Sequence, residues 1–250
     1  MILPSHLSVR GGHLYIGEHD TVALAERFGT PLYVTSEDRV RENFRRLSGA
    51  LSAHYGKVRV LYAAKANGNL AIFRTLASMG AGSDVFSAGE VALALAAGMR
   101  PELLLFNGSS KSPADLALAV EKGIRVSVDS PDELRQLDRA AGAAGRTVDI
   151  AFRVNPAIDV PTHPKIATGL ATSKFGIPAE EILGAYHEAL AAEHVNPVGV
   201  HCHIGSQILA VEPFAREVDV LIDLAADLLD IGVDLSFIDI GGGLGIPYRR

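Results

Sequence analysis

The chain has 250 residues, 48% hydrophobic and 21% charged, with a formal net charge of −6. That is ordinary for one soluble globular domain with a sizeable core. Both signs of charge are scattered, so no Lys/Arg-rich run reads as a nucleic-acid footprint, and no apolar stretch approaches the roughly 18 residues of a membrane helix. A single cysteine, Cys202, excludes an internal disulfide and fits a reducing cytosol. The start, Met1-Ile2-Leu3-Pro4-Ser5-His6, lacks the basic and apolar regions of a signal peptide, so a cytoplasmic location is expected.

Residues 1–35 carry a short strand-like piece (His13-Leu14-Tyr15-Ile16), a helix capped by Asp20, and Thr30-Pro31-Leu32-Tyr33-Val34. They read as a segment whose packing partner comes from elsewhere. Val40, Phe44, Leu47 and Leu51 then recur at i, i+4, i+7 and i+11, one apolar face of a helix. Beyond it, short β-branched runs alternate with helical patterns, and strands are expected near Val60, Val85, Leu104, Val126, Ile150, Val200 and Ile238. Ser112-Pro113 and Ser130-Pro131 place an N-cap before a proline in the first helical turn, and Ser130 and Glu133 have capping-box spacing. Gly98 closes the helix that runs through Val91 to Ala97.

Repeated strand–helix–strand units imply a parallel sheet. Seven strands in even succession favour a (β/α)8 TIM-type barrel over an open doubly wound sheet. Reactive groups in a barrel belong at the C-terminal ends of its strands. The unusual residues cluster there: Lys65, Asp84 and Ser87, Asn107, Arg153 and Asn155, His203 and Ser206, and Gly241 to Gly243. A closed barrel needs an eighth strand, and the chain ends shortly after the seventh. Residues 36–250 are therefore expected to form an incomplete barrel within a longer protein.

Lys65 follows the run Val58-Arg59-Val60-Leu61, in Tyr62-Ala63-Ala64-Lys65-Ala66-Asn67. At the exit of a buried strand its ammonium is expected to lose water, which lowers a lysine pKa toward the nucleophilic amine that Schiff-base chemistry needs. Position alone favours a surface lysine just past a strand end, and the rest of the chain reverses that. In Val200-His201-Cys202-His203-Ile204-Gly205-Ser206-Gln207, His201 and His203 share one strand face and Cys202 the other. Two histidines so placed do not make a tetrahedral zinc set without a second pair nearby. His201 reads as a satisfied core histidine. His203, at the strand exit, reads as a ring that stacks on a flat cofactor, with Ser206 offering a hydroxyl to a phosphate.

Ile238-Asp239-Ile240-Gly241-Gly242-Gly243-Leu244-Gly245 runs a strand into consecutive glycines, whose backbone N–H groups can approach an anion closely. A Rossmann turn is the competing reading, but that turn opens the first strand–helix unit and is followed by an acid. A flexible turn is the plain structural one. Asp84 and Arg153 are charges inside apolar strands, so each implies a partner or ligand, and they could pair with each other. The longest irregular stretch, Thr162-His163-Pro164 through Ser173-Lys174-Phe175-Gly176-Ile177, lies on the fifth loop, where long ordered loops carry function. Lys174 there holds a carboxylate, positions the loop, or is simply solvated.

Taken together the stretches YAAKAN, GSDVFSAGE, RVNP, THPKIATGLATSKFGI, HCHIGSQ and DIGGGLGIPY resemble the alanine-racemase-type (fold type III) pyridoxal-phosphate decarboxylases, in family order and across almost the whole chain. The THP…TGL…SKFGI stretch resembles the diaminopimelate branch more than the ornithine or arginine enzymes. The resemblance implies pyridoxal 5'-phosphate as cofactor and Lys65 as its covalent anchor. By it His203 stacks on the ring, Ser206 and Gly241, Gly242 and Gly243 bind the phosphate, and Asp84, Glu90 and Arg153 surround the cofactor. No metal is implied. The expected reaction is decarboxylation of a small amino acid, meso-2,6-diaminopimelate, to L-lysine and CO2, in a homodimer of the full-length form, with no nucleic acid or membrane partner. The family's Glu-Pro-Gly-Arg motif, its Cys-Glu-Ser-Gly-Asp-like motif and the tyrosine of its C-terminal β-domain are not in this chain, and Cys202 is not that catalytic cysteine. The 250 residues are thus expected to be an inactive N-terminal portion, with residues 1–35 packing on the C-terminal β-domain. A non-catalytic pyridoxal-phosphate-binding barrel is the alternative.

Overall fold

A computed structural model of the protein describes residues 6–158 and 175–246. An antiparallel sheet comes first, in the order β1 (Leu7–Arg10), β2 (His13–Ile16), β3 (His19–Asp20). Asp20 ends it and caps α1 (Thr21–Phe28) by accepting the Val22 N–H at 2.8 Å. The strand at 13–16 and the Asp20 cap were legible in the sequence, whereas β1 and β3 were not, and 30–34 forms no strand. Ser36 then caps α2 (Glu37–Ser52), whose face of Val40 and Phe44 packs on the core while Leu47 and Leu51 stay exposed.

The main sheet follows: β4 (Leu61–Ala63), β5 (Gly82–Val85), β6 (Leu104–Phe106), β7 (Arg125–Val128), β8 (Val148–Asn155), a two-residue β9 (Ile177–Pro178), β10 (Val195–Cys202) and β11 (Phe237–Asp239). Helices α3 (Leu70–Ala77), α4 (Ala88–Ala96), α5 (Pro113–Lys122), α6 (Pro131–Ala143), α7 (Ile182–Ala191) and α8 (Glu212–Asp230) connect them. Spatial order equals chain order, β4-β5-β6-β7-β8-β10-β11, and every neighbouring pair is parallel. A doubly wound sheet would reverse direction part-way. This one winds as a TIM-type barrel does, with seven strands, and β4 and β11 are its two edges among the described residues. The strand expected near Val60 begins one residue later.

Local signals set the helices. Ser112 and Asp115 complete a reciprocal capping box on α5, and Gly123 ends it in the left-handed region. Ser130 accepts the Glu133 N–H on α6 at 3.2 Å, but the Glu133 carboxylate turns away to Lys111, so only half of the expected box forms. Gly98, at φ +90°, stops the chain just past α4, as expected.

Register sorts the side chains into two layers, since paired residues on parallel strands project to the same side. Phe106, Val126, Ile150, Phe152 and Val200 fall on one face and join the buried apolar cluster under the helices, with Leu116, Leu134, Tyr186 and Leu221. Each such buried side chain contributes about 1.5–3 kcal/mol of transfer free energy. Phe152 and Tyr186 meet edge to face at 4.9 Å. The other face, the barrel interior, carries Asp84, Arg125, Ser127, Ala151, Arg153, Gly199, His201 and Asp239. One irregularity matters for this sorting. Pro197 pairs with Ile150 and Gly199 with Ala151, so β10 absorbs Val198 as an extra residue. The Val198 carbonyl accepts from Ser236 N–H (2.7 Å) and Oγ (3.1 Å), and the Gly199 carbonyl from Tyr186 Oη at 2.6 Å.

Candidate active site

The polar interior groups other than Arg125 lie toward the C-terminal ends of the strands. Arg153, His201 and Asp239 are register neighbours on β8, β10 and β11. His201 is buried, with Nδ1 2.8 Å from Asp239 Oδ2. The other carboxyl oxygen, Oδ1, accepts the Gly241 N–H at 2.8 Å. Burial opposes the charge on Asp239, yet His201 and these hydrogen bonds outweigh it and hold the carboxyl below its ordinary value. His201 is thus a satisfied buried histidine, as expected, and no metal ligand set forms among the described residues.

His203 leaves the strand half-buried. Desolvation first, then Arg153, His201 and Lys65, push its pKa down to about 3, so the ring is neutral at pH 7. Its Nδ1 accepts the Gly242 N–H at 3.4 Å, which puts the ring proton on Nε2. The glycine loop packs against this strand end. A Cβ on Gly241 would lie 2.5 Å from the Cys202 carbonyl oxygen, and one on Gly243 only 1.9 Å from that of Gly205. Both have positive φ, +63° and +96°, while Gly242 faces open space. Ile208 N–H to Gly243 O and Gly245 N–H to Ile208 O, both 2.9 Å, zip the loop to the segment after β10 that holds exposed Ser206.

Lys65 sits in a 3-10 turn, Ala64–Ala66, directly after β4. The desolvation expected of it is absent. Lys65 is exposed, because among the described residues β4 is an edge strand paired on one side only. Its ammonium lies 4.3 Å from the centroid of the Phe86 ring, a cation–π contact. Glu90 acts one step away: its carboxylate accepts the Phe86 N–H at 2.7 Å, and its own N–H donates to the cap Ser87. Among the described contacts it is a helix-terminus residue that fixes Phe86.

Asp84 is half-buried, and burial pushes its carboxyl up to about 6, against a 2.5 Å hydrogen bond from Asn107 Nδ2. No ion pair joins Asp84 to Arg153 among the described residues. Arg153 is buried, with its guanidinium 4.8 Å from the Phe175 ring centroid. Burial pulls its pKa down, offset by Asp129, Asp84 and Asp239. Of the fifth loop, 159–174, Lys174 included, lies outside the described residues, as do Pro247 and Tyr248. Its end is ordered: Gly176 passes Arg153 so closely that a Cβ would lie 2.8 Å from its carbonyl oxygen, and β9 then pairs with β8.

Three groups escaped the sequence reading. Lys111, after β6, is buried against Glu133 at 2.8 Å and donates to the Ser127 and Gly108 carbonyls. Glu217, on α8, is 1% exposed, and neither carboxyl oxygen has a hydrogen-bond partner among the described residues. Asp239 was passed over as part of a glycine motif. Glu217 did leave a signal, since it stands four residues before Leu221 on the stripe Leu221, Leu224, Leu228.

Comparison with known proteins decides the family. The profile described as "Pyridoxal-dependent decarboxylase, pyridoxal binding domain" matches residues 37–250. The chain belongs to this family. Within the pyridoxal-dependent decarboxylases it is 48% identical over 242 residues to diaminopimelate decarboxylase of Archaeoglobus fulgidus, covering 97% of this chain and 57% of that protein. It is 41% identical to the Methanocaldococcus jannaschii enzyme of the same name, covering 98% and 57%. The crystal structure of the M. jannaschii decarboxylase superposes with a TM-score of 0.90 at 40% identity, covering 98% of this chain and 58% of that one. The chain thus spans a little over half the length of the relatives it matches. Pyridoxal phosphate, the group the family binds, suits the residues present. The Gly241 and Gly243 positions are filled by neighbouring carbonyls, Gly242 is open, Arg153 supplies buried positive charge, and an amine stands at the β4 exit.

Proposed function

We propose that the chain is the cofactor-binding barrel portion of a pyridoxal-phosphate-dependent decarboxylase that converts meso-2,6-diaminopimelate to L-lysine and CO2. The observation that carries it is the meeting, at one rim of the barrel, of the Lys65 amine with a glycine cradle and a neutral His203 ring. Asp84 and His203 each feel the charge of Lys65, which supports one shared site. The substrate rests on the relatives named diaminopimelate decarboxylase and on a similar structure, the M. jannaschii enzyme in co-complex with L-lysine.

In this reading Lys65 anchors the cofactor covalently through Nζ. The backbone of Gly241, Gly242 and Gly243 with Ser206 holds the phosphate, and Arg153 balances its charge. His203, neutral and flat, stacks on the ring and excludes water from one face. Bound there, pyridoxal phosphate supplies the electron sink that accepts the pair left when a carboxylate departs as CO2. Asp84, with Oδ1 engaged by Asn107, holds or releases a proton near neutral pH beside the cofactor. Glu90 keeps Phe86, and so the Lys65 ammonium, in place. The same reading assigns residues 1–35 to a segment that packs on a further domain, residues 36–250 to the barrel, and the full-length protein to a cytoplasmic homodimer. Turnover is expected of a protein with the relatives' full length and not of these 250 residues alone. Exposed Val9 and Phe28 support the packing role of the amino-terminal segment.

Incubation with pyridoxal phosphate, borohydride reduction and peptide mapping test the core of this. A pyridoxyl mass on the Lys65 peptide, lost in Lys65→Ala, is expected, and an adduct elsewhere sinks the assignment. Release of CO2 from diaminopimelate, but not from ornithine or arginine, by the full-length protein tests the substrate. Binding without release would favour a non-catalytic cofactor module.

A further inference from the structure

Asp239 is an acid in an awkward place. Its Oδ1 is 2.8 Å from the Gly241 N–H, so a carboxylate stands at the root of the loop read above as the phosphate cradle. Left alone it would repel a phosphate dianion and could rotate to take N–H groups that the anion needs. Its other oxygen is held by His201 Nδ1 at 2.8 Å. An ionised carboxylate only accepts, so His201 must carry its proton on Nδ1 and donate. The imidazole is buried on the interior face, between its register neighbours Arg153 on β8 and Asp239 on β11. The chain of contacts runs His201, Asp239, Gly241, and through Gly242 to His203 Nδ1.

We propose that His201 is a positioning residue. By donating to Asp239 it fixes that carboxylate on the Gly241 N–H and draws its charge away from the loop, which keeps the carboxylate off the Gly242 and Gly243 N–H groups that would receive a phosphate. This rests on the reading of the loop as the cofactor-phosphate site. It separates His201 from His203: one prepares the anion cradle, the other faces the cofactor ring. Loss of His201 therefore lowers affinity for the phosphate group and leaves the reaction at Lys65 unchanged.

The test compares wild type, His201→Leu and His201→Asn, whose amide offers a donor near the Nδ1 position. Two probes are titrated, pyridoxal phosphate and unphosphorylated pyridoxal, each followed by its absorbance on binding. In His201→Leu the dissociation constant for pyridoxal phosphate is expected to rise about tenfold or more while that for pyridoxal moves less than about twofold, and His201→Asn restores most of the difference. Equal weakening toward both probes would reduce His201 to a structural residue and overturn the inference. Hydrogen exchange of the Gly241 amide, measured with no cofactor added, gives an independent arm: it is expected to speed up in His201→Leu and not in His201→Asn, with strand β7 amides as control. If His201→Leu does not fold, His201→Leu combined with Asp239→Asn, which removes the uncompensated charge, replaces it and is expected to recover phosphate affinity. If wild type binds neither probe, the cofactor reading fails, and the exchange arm still decides whether His201 sets the loop.

Discussion

Glu217 and His203 hold unfavourable charge states in opposite senses, and pH separates them. Burial pushes Glu217 up to about 7, with the Cys202 thiol, His201 and Asp239 as the polar groups that bear on it. The unfolded chain releases this proton near pH 4.5 and the folded one near 7, so stability falls as pH rises across that window. Glu217→Gln is therefore expected to be more stable than wild type at pH 8 by on the order of 2–3 kcal/mol, and little changed at pH 4, in urea denaturation at the two pH values. A pH-independent effect would show that the acid titrates alike in the folded and unfolded chain. His203 has its pKa lowered to about 3, so the unfolded chain gains a proton below about pH 6.5 that the folded one refuses. Its contribution is present above that pH and lost as pH falls toward 3, and His203→Gln is expected to flatten the acid limb of the stability curve. Strand parity had already placed His203 and Cys202 on opposite faces. The exposure of Lys65 was not legible, because it depends on how many strands flank β4, and a sequence window does not contain its neighbours.

At the scale of the element, the glycine loop and the post-β6 loop are built differently. Gly241 and Gly243 are required by backbone oxygens that cannot retreat, and by positive φ, whereas Gly242 is not. Gly243→Ala is expected to abolish pyridoxal-phosphate binding and lower the melting temperature. Gly242→Ala should leave the melting temperature within a degree or so while weakening binding, since its methyl enters the space an anion would take. Calorimetry on the pair checks this. The motif announced three glycines; only the packing against β10 shows which two the fold itself demands. Lys111 holds the other loop through Glu133 and two carbonyls, with 1% of its side chain exposed. Lys111→Met alone strands a buried carboxylate and is expected to cost about 3–5 kcal/mol, while Lys111→Met with Glu133→Leu should return most of it, by chemical denaturation. The sequence offered Glu133 a capping-box role by spacing, and a lysine some twenty residues away claimed it.

For the whole molecule, all seven barrel strands and their order were legible from the alternation of β-branched runs with helices. The amino-terminal β1 and β3 were not, since Leu7-Ser8-Val9-Arg10 and His19-Asp20 lack the apolar runs that mark the barrel strands. The winding leaves β4 and β11 as edges among the described residues. Their amides are expected to exchange faster than those of β7 and β8, which are paired on both sides, and equal protection would mean that something covers the edges.

The extra residue in β10 has a consequence of phase. A strand counts in twos, and Val198 shifts that count by one. Upstream of it Pro197 keeps step with Ile150; downstream Gly199, His201 and His203 keep step with Ala151 and Arg153. Were Val198 paired in regular register on Ala151 instead of being bulged out, His201 would align with Val154 and turn toward the helices, and Cys202 would face the cavity in place of both histidines. The chemistry at this rim thus depends on an odd number in a stretch that touches none of it. Inserting one further residue there, which shifts the downstream count, should be more damaging than replacing Val198, and Val198→Ala, which keeps the count, should still bind cofactor.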